Sequence, residues 1–411
     1  MRRRRFVGLL GATGAAAFLS HRWEAAGEGT EVKVLDGVPP LAWRRGKQCT
    51  LIGCFEAVLR YYGEPWDYVD LMGLSGAAFR LRIAYSTNER LMGGRIHPGI
   101  SIDASVGPHV QALMEATGYQ CEIDAHVFHQ PVNHELIAAR IEGEIEEKRP
   151  VIAMNLNGGS CWGVIAGYDR AVPLQLCIER DLGDRYLCRT YYDADDAGYE
   201  RARCFPWDVY FVRRAGERLP ADLAAPAAVE RAVTLPETES GQVSGPLGWM
   251  AGWKPEYVNG LRAYDAWVAD LADEEGIARL SPEQSLMYWQ GHACMYDQLH
   301  DARRAAAEYV RRIAPQFADT QARRLQQAAE AYDRLVELMT RNWSCFPYRE
   351  GGYVEPITGW RLGTDREEFP GTQIPAYAGG WTAEDRRGGI ALLEAVRGVE
   401  EEALAALREA V

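Results

Sequence analysis

The sequence predicts an α+β architecture, helices packed on a mostly antiparallel sheet, followed by an all-α helical bundle. Three observations lead there. Apolar residues recur three or four apart in segments between Leu51 and Lys148, the period of a helix with one buried face. Short β-branched and aromatic runs follow one another from Pro150 to Val212, and helices first with mostly adjacent strands later is the grammar of an α+β domain. Beyond Leu261 only the helical period remains. At roughly 100–200 residues per domain, 411 residues make two to three domains.

Taken in order, Phe55, Val58, Leu59 and Tyr62 predict a helix over Leu51–Tyr62, stopped by Gly63. A second helix is expected from Gly107-Pro108, with Val110, Leu113 and Met114 on one face. A third is expected over Asn133–Lys148, with Leu136, Ile137, Ile141 and Ile145 inward. Pro150–Met154, Trp162–Tyr168, Leu174–Glu179, Tyr186–Tyr192 and Val209–Val212 read as strands. Leu219–Ser244, rich in Ala, Pro and Glu, reads as a linker. Three helical stripes follow: Leu261/Tyr264/Trp267/Val268/Leu271, Leu286/Trp289/Ala293/Tyr296/Leu299, and Phe317/Leu325/Tyr332/Leu335/Met339. Asn342–Gly380 reads as ordered loop, and a last helix over Thr382–Glu409 opens on a capping box of Thr382 with Asp385. The expected division is a signal segment over 1–30, a first domain over 31–215, a linker over 216–255 and a helical domain over 256–411.

Lys and Arg number 45 against 58 Asp and Glu, a net charge of −13, so the surface repels nucleic acid and anionic membrane. No cofactor-binding motif is present. Nine cysteines stand singly, without the paired spacing of a zinc site or a disulfide framework. Arg2–Arg5 followed by an apolar stretch to Leu19 resembles a twin-arginine export signal with an h-region of about 14 residues. It implies a periplasmic or extracellular protein; without that signal the chain is cytoplasmic. No later segment reaches the length of a membrane span.

The chemistry candidates are Gln48 and Cys54. Cys54 is expected at the amino-terminal end of the first helix, where the dipole favours a thiolate. Gln48, six residues upstream, can offer its amide to an oxyanion beside the Cys54 backbone N–H, as acyl transfer from a thiolate requires. Gln48 through Cys54-Phe55-Glu56-Ala57, Leu59-Arg60-Tyr61-Tyr62-Gly63, Gly73-Leu74-Ser75-Gly76-Ala77-Ala78-Phe79, Arg149-Pro150-Val151-Ile152 and Gly163–Asp169 together resemble the papain-like superfamily. The resemblance is narrower to the double-glycine-leader cysteine peptidases and the amino-terminal domain of the butirosin biosynthesis H acyltransferase. It covers about residues 40–215 and implies a papain-like fold, a thiol-centred peptidase or acyltransferase chemistry, and a peptide or small acyl ligand.

One position departs from that pattern. Where those peptidases carry the histidine that takes the thiol proton, this chain has Cys161, in Ser160-Cys161-Trp162. A thiol is no substitute for imidazole near neutral pH. The triad's third member maps onto Asp193, which then has no histidine to orient. Three readings stay open: a histidine recruited from His97, His109, His126, His129 or His134; Cys54 and Gln48 acting without one; or a non-catalytic accessory protein that keeps the cleft for binding. His126 and His129, three apart, could share a helix face and a metal, though without a nearby carboxylate pattern.

Asp67–Arg82 reads as a helix-ending turn and a short buried strand, with Arg80 and Arg82 suited to a carboxylate if they point inward. Asp193, Asp195 and Asp196 read as a solvated acidic turn, lacking the glycine and glutamate offsets of a calcium loop. A Cys49–Cys54 disulfide and a Cys54–Cys161 sulfur contact are both conceivable on spacing and resemblance.

Overall fold

The computed structural model describes residues 32–41, 47–85, 94–125, 134–156, 161–172, 185–190, 198–206, 208–237, 241–242, 256–349, 353–354, 361–362, 376–377 and 380–411. Arg2–Leu19, His126, His129, Leu174–Glu179, Tyr191, Tyr192, Asp193, Asp195 and Asp196 lie outside them.

Seven strands form the main sheet: β1 (Val32–Val34), β3 (Tyr119–Ala125), β4 (Val151–Met154), β5 (Trp162–Asp169), β6 (Tyr186–Arg189), β7 (Glu200–Arg201) and β8 (Asp208–Arg214), with β2 (Arg82–Ala84) belonging elsewhere. Their order is β3-β8-β4-β5-β6-β7, and every pairing is antiparallel. β4 covers Trp162–Ile165 of β5, and β1 covers Gly167–Asp169, so the two lie end to end on one edge of that strand. Two helices, α1 (Thr50–Tyr61) and α5 (His134–Glu146), pack on β5. All eight of its residues are therefore buried, and it reads as a continuous apolar run rather than an alternating one.

Between α1 and α5 come α2 (Tyr68–Leu74), α3 (Pro98–Ile102) and α4 (His109–Thr117). The later helices are α6 (Ala221–Glu237), α7 (Leu261–Ala272), α8 (Glu274–Ala278), α9 (Pro282–Ile313), α10 (Asp319–Arg341) and α11 (Ala383–Arg408). α1 ends as its sequence requires: Tyr62 caps it and Gly63 takes φ +82, which a residue with a Cβ rarely adopts. The Thr382 hydroxyl accepts from the Asp385 amide and the Asp385 carboxylate accepts from the Thr382 amide, so α11 does open on a reciprocal box.

Two expectations need correction. Leu136 does not face inward but is 66% exposed. Ile137, Ile141 and Ile145, spaced by four, make the buried stripe of α5, and Leu136 falls about 100° off it. The expected linker contains α6, whose Ala224, Ala225, Ala228, Val229 and Ala232 are buried. Alanine carries little of the hydrophobic contrast that marks a stripe, and Pro226 and Pro236 inside the helix argued against it.

Nor do the two expected domains pack separately. The later strand β10 (Glu256–Asn259) pairs with β2 and with β9 (Gly241–Gln242) in a three-stranded sheet. α9 runs against α2, α3 and the 3-10 turn Ala77–Phe79, and one apolar core joins both halves. In the Asn342–Gly380 stretch the described residues include two small strand pairs, Tyr348–Arg349 with Ala376–Tyr377 and Tyr353–Val354 with Arg361–Leu362.

The Gly73–Gly76 segment follows from this packing. A Cβ at Gly73 would sit 2.1 Å from the Tyr309 ring of α9, so only glycine lets α2 approach that closely. Gly76 takes φ +77 at the turn between α2 and the 3-10 residues. Gly73→Ala is expected to destabilise the fold by about 1–3 kcal/mol through overpacking, read as a lower urea midpoint. An unchanged midpoint would contradict the described α2–α9 contact.

Candidate functional site

The residue at the amino terminus of α1 is Cys49, not Cys54. Thr50 is the first helical residue, and Cys49 takes the extended cap conformation, φ −80 and ψ 90. Cys54 lies one turn in, fully buried in the apolar core. The dipole argument made for Cys54 therefore belongs to its neighbour, since the effect fades within the first turn. Cys49 is a free thiol, which excludes the conceivable Cys49–Cys54 disulfide. The neighbouring Gln48 offered the signal: a polar residue and Thr50 bracket Cys49, as a helix start does.

Gln48 and Cys49 together are held by three hydrogen bonds. The Cys49 amide donates to the Tyr68 hydroxyl at 2.9 Å, and that hydroxyl donates to Asp301 Oδ2 at 2.6 Å. The same oxygen accepts the Gln48 amide at 3.1 Å, and the Gln298 side-chain amide donates to the Gln48 carbonyl. Gln48 is thus anchored through its main chain by α9, some 250 residues away in sequence. Burial pushes the Asp301 carboxyl up from its usual range, while Arg304, paired with Oδ1 at 2.7 Å, pulls it down.

On the other side of Cys49, α9 and β2 enclose a cavity with room of about 30 Å³, lined by Cys49, Arg80, Arg82, Ser101, Met295 and Gln298 among others. That is space for a water or two. Burial pushes the Cys49 thiol up to about 11; the Arg80 guanidinium and the Ile52 amide pull it down, and Asp103 and Asp301 push it further up. Among the described residues no imidazole is a principal influence on it. The Ile52 amide is where the helix start acts on the sulfur, and burial outweighs it.

Three of the five candidate histidines, His97, His109 and His134, are described. His109 Nδ1 lies 2.9 Å from the Ser75 carbonyl; a carbonyl only accepts, so Nδ1 carries the proton and Nε2 is the bare acceptor. Burial, then Arg80 and Arg82, hold His109 well below its usual range. His97 is buried and pushed down to about 4 by burial. His134 packs against Phe205 with the rings tilted, centres 4.6 Å apart, at the start of α5.

Cys161 immediately precedes β5. Its carbonyl accepts from the Asn155 amide at 3.1 Å, and the next amide, Trp162, donates to Thr50 Oγ1 at 3.3 Å. The start of β5 and the start of α1 are therefore adjacent. Trp162 Nε1 also donates to Asp103 Oδ1 at 3.2 Å, while Asp103 Oδ2 has no partner among the described residues. Asp193 lies outside the described residues and is placed nowhere relative to this group.

Among the described residues no cluster of three or more His, Cys, Asp or Glu could hold a metal, and no helix is long and apolar enough to cross a membrane. The chain matches no protein-family model and no curated protein.

Proposed function

We propose that the Cys49 cavity is the binding cleft of a papain-like domain, holding a peptide end or small acyl ligand beside a protonated thiol rather than hydrolysing or transferring it. The papain-like reading is supported by a thiol at the cap of a helix packed on an antiparallel sheet, with the strand after Cys161 joined to that helix through Trp162 and Thr50. The binding reading rests on one observation: the thiol that lines the cavity is pushed up to about 11, and among the described residues no imidazole is a principal influence on it. At pH 7 such a thiol is ionised to about one part in ten thousand, and the thiolate is the species that attacks an acyl carbon. Cys54 is enclosed in the core.

Iodoacetamide labelling followed residue by residue across pH tests this. Cys49 is expected to react slowly at pH 8 and faster as pH rises toward 11, and Cys54 to stay protected until the chain unfolds. An apparent Cys49 pKa below about 8 would return the site to thiolate catalysis. Preferential labelling of Cys54 in the folded protein would return the role to that residue.

A further inference from the structure

We propose that the cavity beside Cys49 is a carboxylate site, gripped by the guanidinium groups of Arg80 and Arg82. The proposal rests on the cavity being a ligand cleft, and not on the fate of the thiol.

Four arginines are buried among the described residues: Arg82 at 4% exposure, Arg95, Arg303 and Arg386. Three of them pair with carboxylates: Arg95 with Asp270 and Asp273, Arg303 with Glu400, and Arg386 with Glu274. Arg82 has no such ion pair with any described carboxylate. Its Nη2 donates to the Val106 carbonyl at 2.6 Å, while Nε and Nη1 have no partner among the described residues. Arg80, two residues away, donates through Nη2 to the Ile102 carbonyl and leaves Nη1 without a described partner. Both residues line the cavity.

Two guanidinium groups side by side in a poorly solvated wall repel each other, and a buried cation without an anion is costly. The groups facing them do little to offset this. Arg82 stands 5.3 Å from the Tyr257 ring centre, His109 is neutral, and Cys49 is a protonated thiol. Asp103 bears on both arginines, but its Oδ1 bonds to Trp162 and Ser105 and its Oδ2 has no described partner, so neither oxygen bonds a guanidinium. An anion entering beside these two residues would offset their repulsion and offer acceptors to N–H groups that have no described partner. The space holds a water or two, about the size of two carboxylate oxygens, and Met72, Leu81 and Leu299 continue the lining in apolar form. That shape suits a carboxylate carrying a short alkyl stem, and guanidinium forks match its planar pair of oxygens.

Calorimetric titration of the full chain with acetate and propionate, with acetamide as the neutral isostere, tests it. Acetate is expected to bind saturably and acetamide not to bind. Arg82→Gln is expected to weaken acetate about tenfold or more, and Arg82→Lys, which keeps the charge but loses the fork, by less. No saturable heat in the parent protein, or equal binding of acetamide, would overturn the proposal even if the Arg82 variants fail to fold. Displacement of acetate by lower concentrations of inorganic phosphate would overturn the carboxylate assignment. These heats do not depend on thiol ionisation, so their failure leaves the Cys49 labelling result standing, and the reverse holds too.

Discussion

Arg303→Met is expected to cost about 3–5 kcal/mol of folding stability, because it leaves a buried carboxylate without its partner. Arg303 Nε bonds Glu400 Oε2 at 2.7 Å, and Nη1 reaches the carbonyls of Ala78 at 2.8 Å and Arg80 at 3.1 Å. Both charged groups are almost wholly enclosed, at 1% and 2% exposure. Once the guanidinium is gone, Glu400 keeps the Tyr264 hydroxyl at 3.2 Å and nothing cationic at bonding distance among the described residues. The same change frees the two carbonyls that fix the segment presenting Arg80. Urea unfolding reads the loss directly. The double variant Arg303→Met with Glu400→Leu is expected to recover part of it, since removing both members of a buried pair is far milder than removing one. A single-variant loss below about 1 kcal/mol would contradict the described pairing.

Asp297→Asn is expected to act in the opposite direction, stabilising the protein at pH 8 by about 4 kcal/mol and leaving it nearly unchanged at pH 4. Burial pushes the Asp297 carboxyl up to about 7; Asp301, one turn along α9, pushes the same way, while the Tyr348 hydroxyl, donating at 3.0 Å, pulls it down. In the unfolded chain the same group ionises near 3.9. Between about pH 4 and pH 7 the folded chain keeps a proton the unfolded chain gives up, so stability falls as pH rises through that window, at about 1.4 kcal/mol per pH unit. Above 7 the loss is complete. Asparagine has no such proton to lose and still accepts from Tyr348. His97 and His300, each pushed down to about 4 by burial, tilt the curve the other way, so the diagnostic quantity is the difference between parent and variant. Parallel stability curves from pH 4 to 8 would contradict the burial of this carboxylate.

How much of this was legible in the sequence depends on the distance over which the information is written. The first helix was readable from Phe55, Val58, Leu59 and Gly63, and the last from Thr382 and Asp385, because period and capping act over a few residues. The thiol was displaced by one turn: the apolar stripe locates a helix's face more sharply than its first residue, and the cap went to Cys49. Arg80 and Arg82 were recognisable as carboxylate-type residues, but only the structure places them against a shared cavity. Asp301 and Gln298 carried no local sign of their role, because they reach Gln48 across about 250 residues of chain. α6 was hidden by its own composition, a stripe of alanines broken by prolines.

The pairing of β2 with β10 bears on how this protein can be made. Arg82–Ala84 finds its neighbour only at Glu256–Asn259, and the opposite wall comes from α9. A ribosome that has delivered residue 215 has already delivered both arginines and the thiol, with neither enclosure yet synthesised. The nascent chain must carry them open to water until nearly three quarters of its length has emerged, and a fragment cut at the apparent boundary would carry them open permanently.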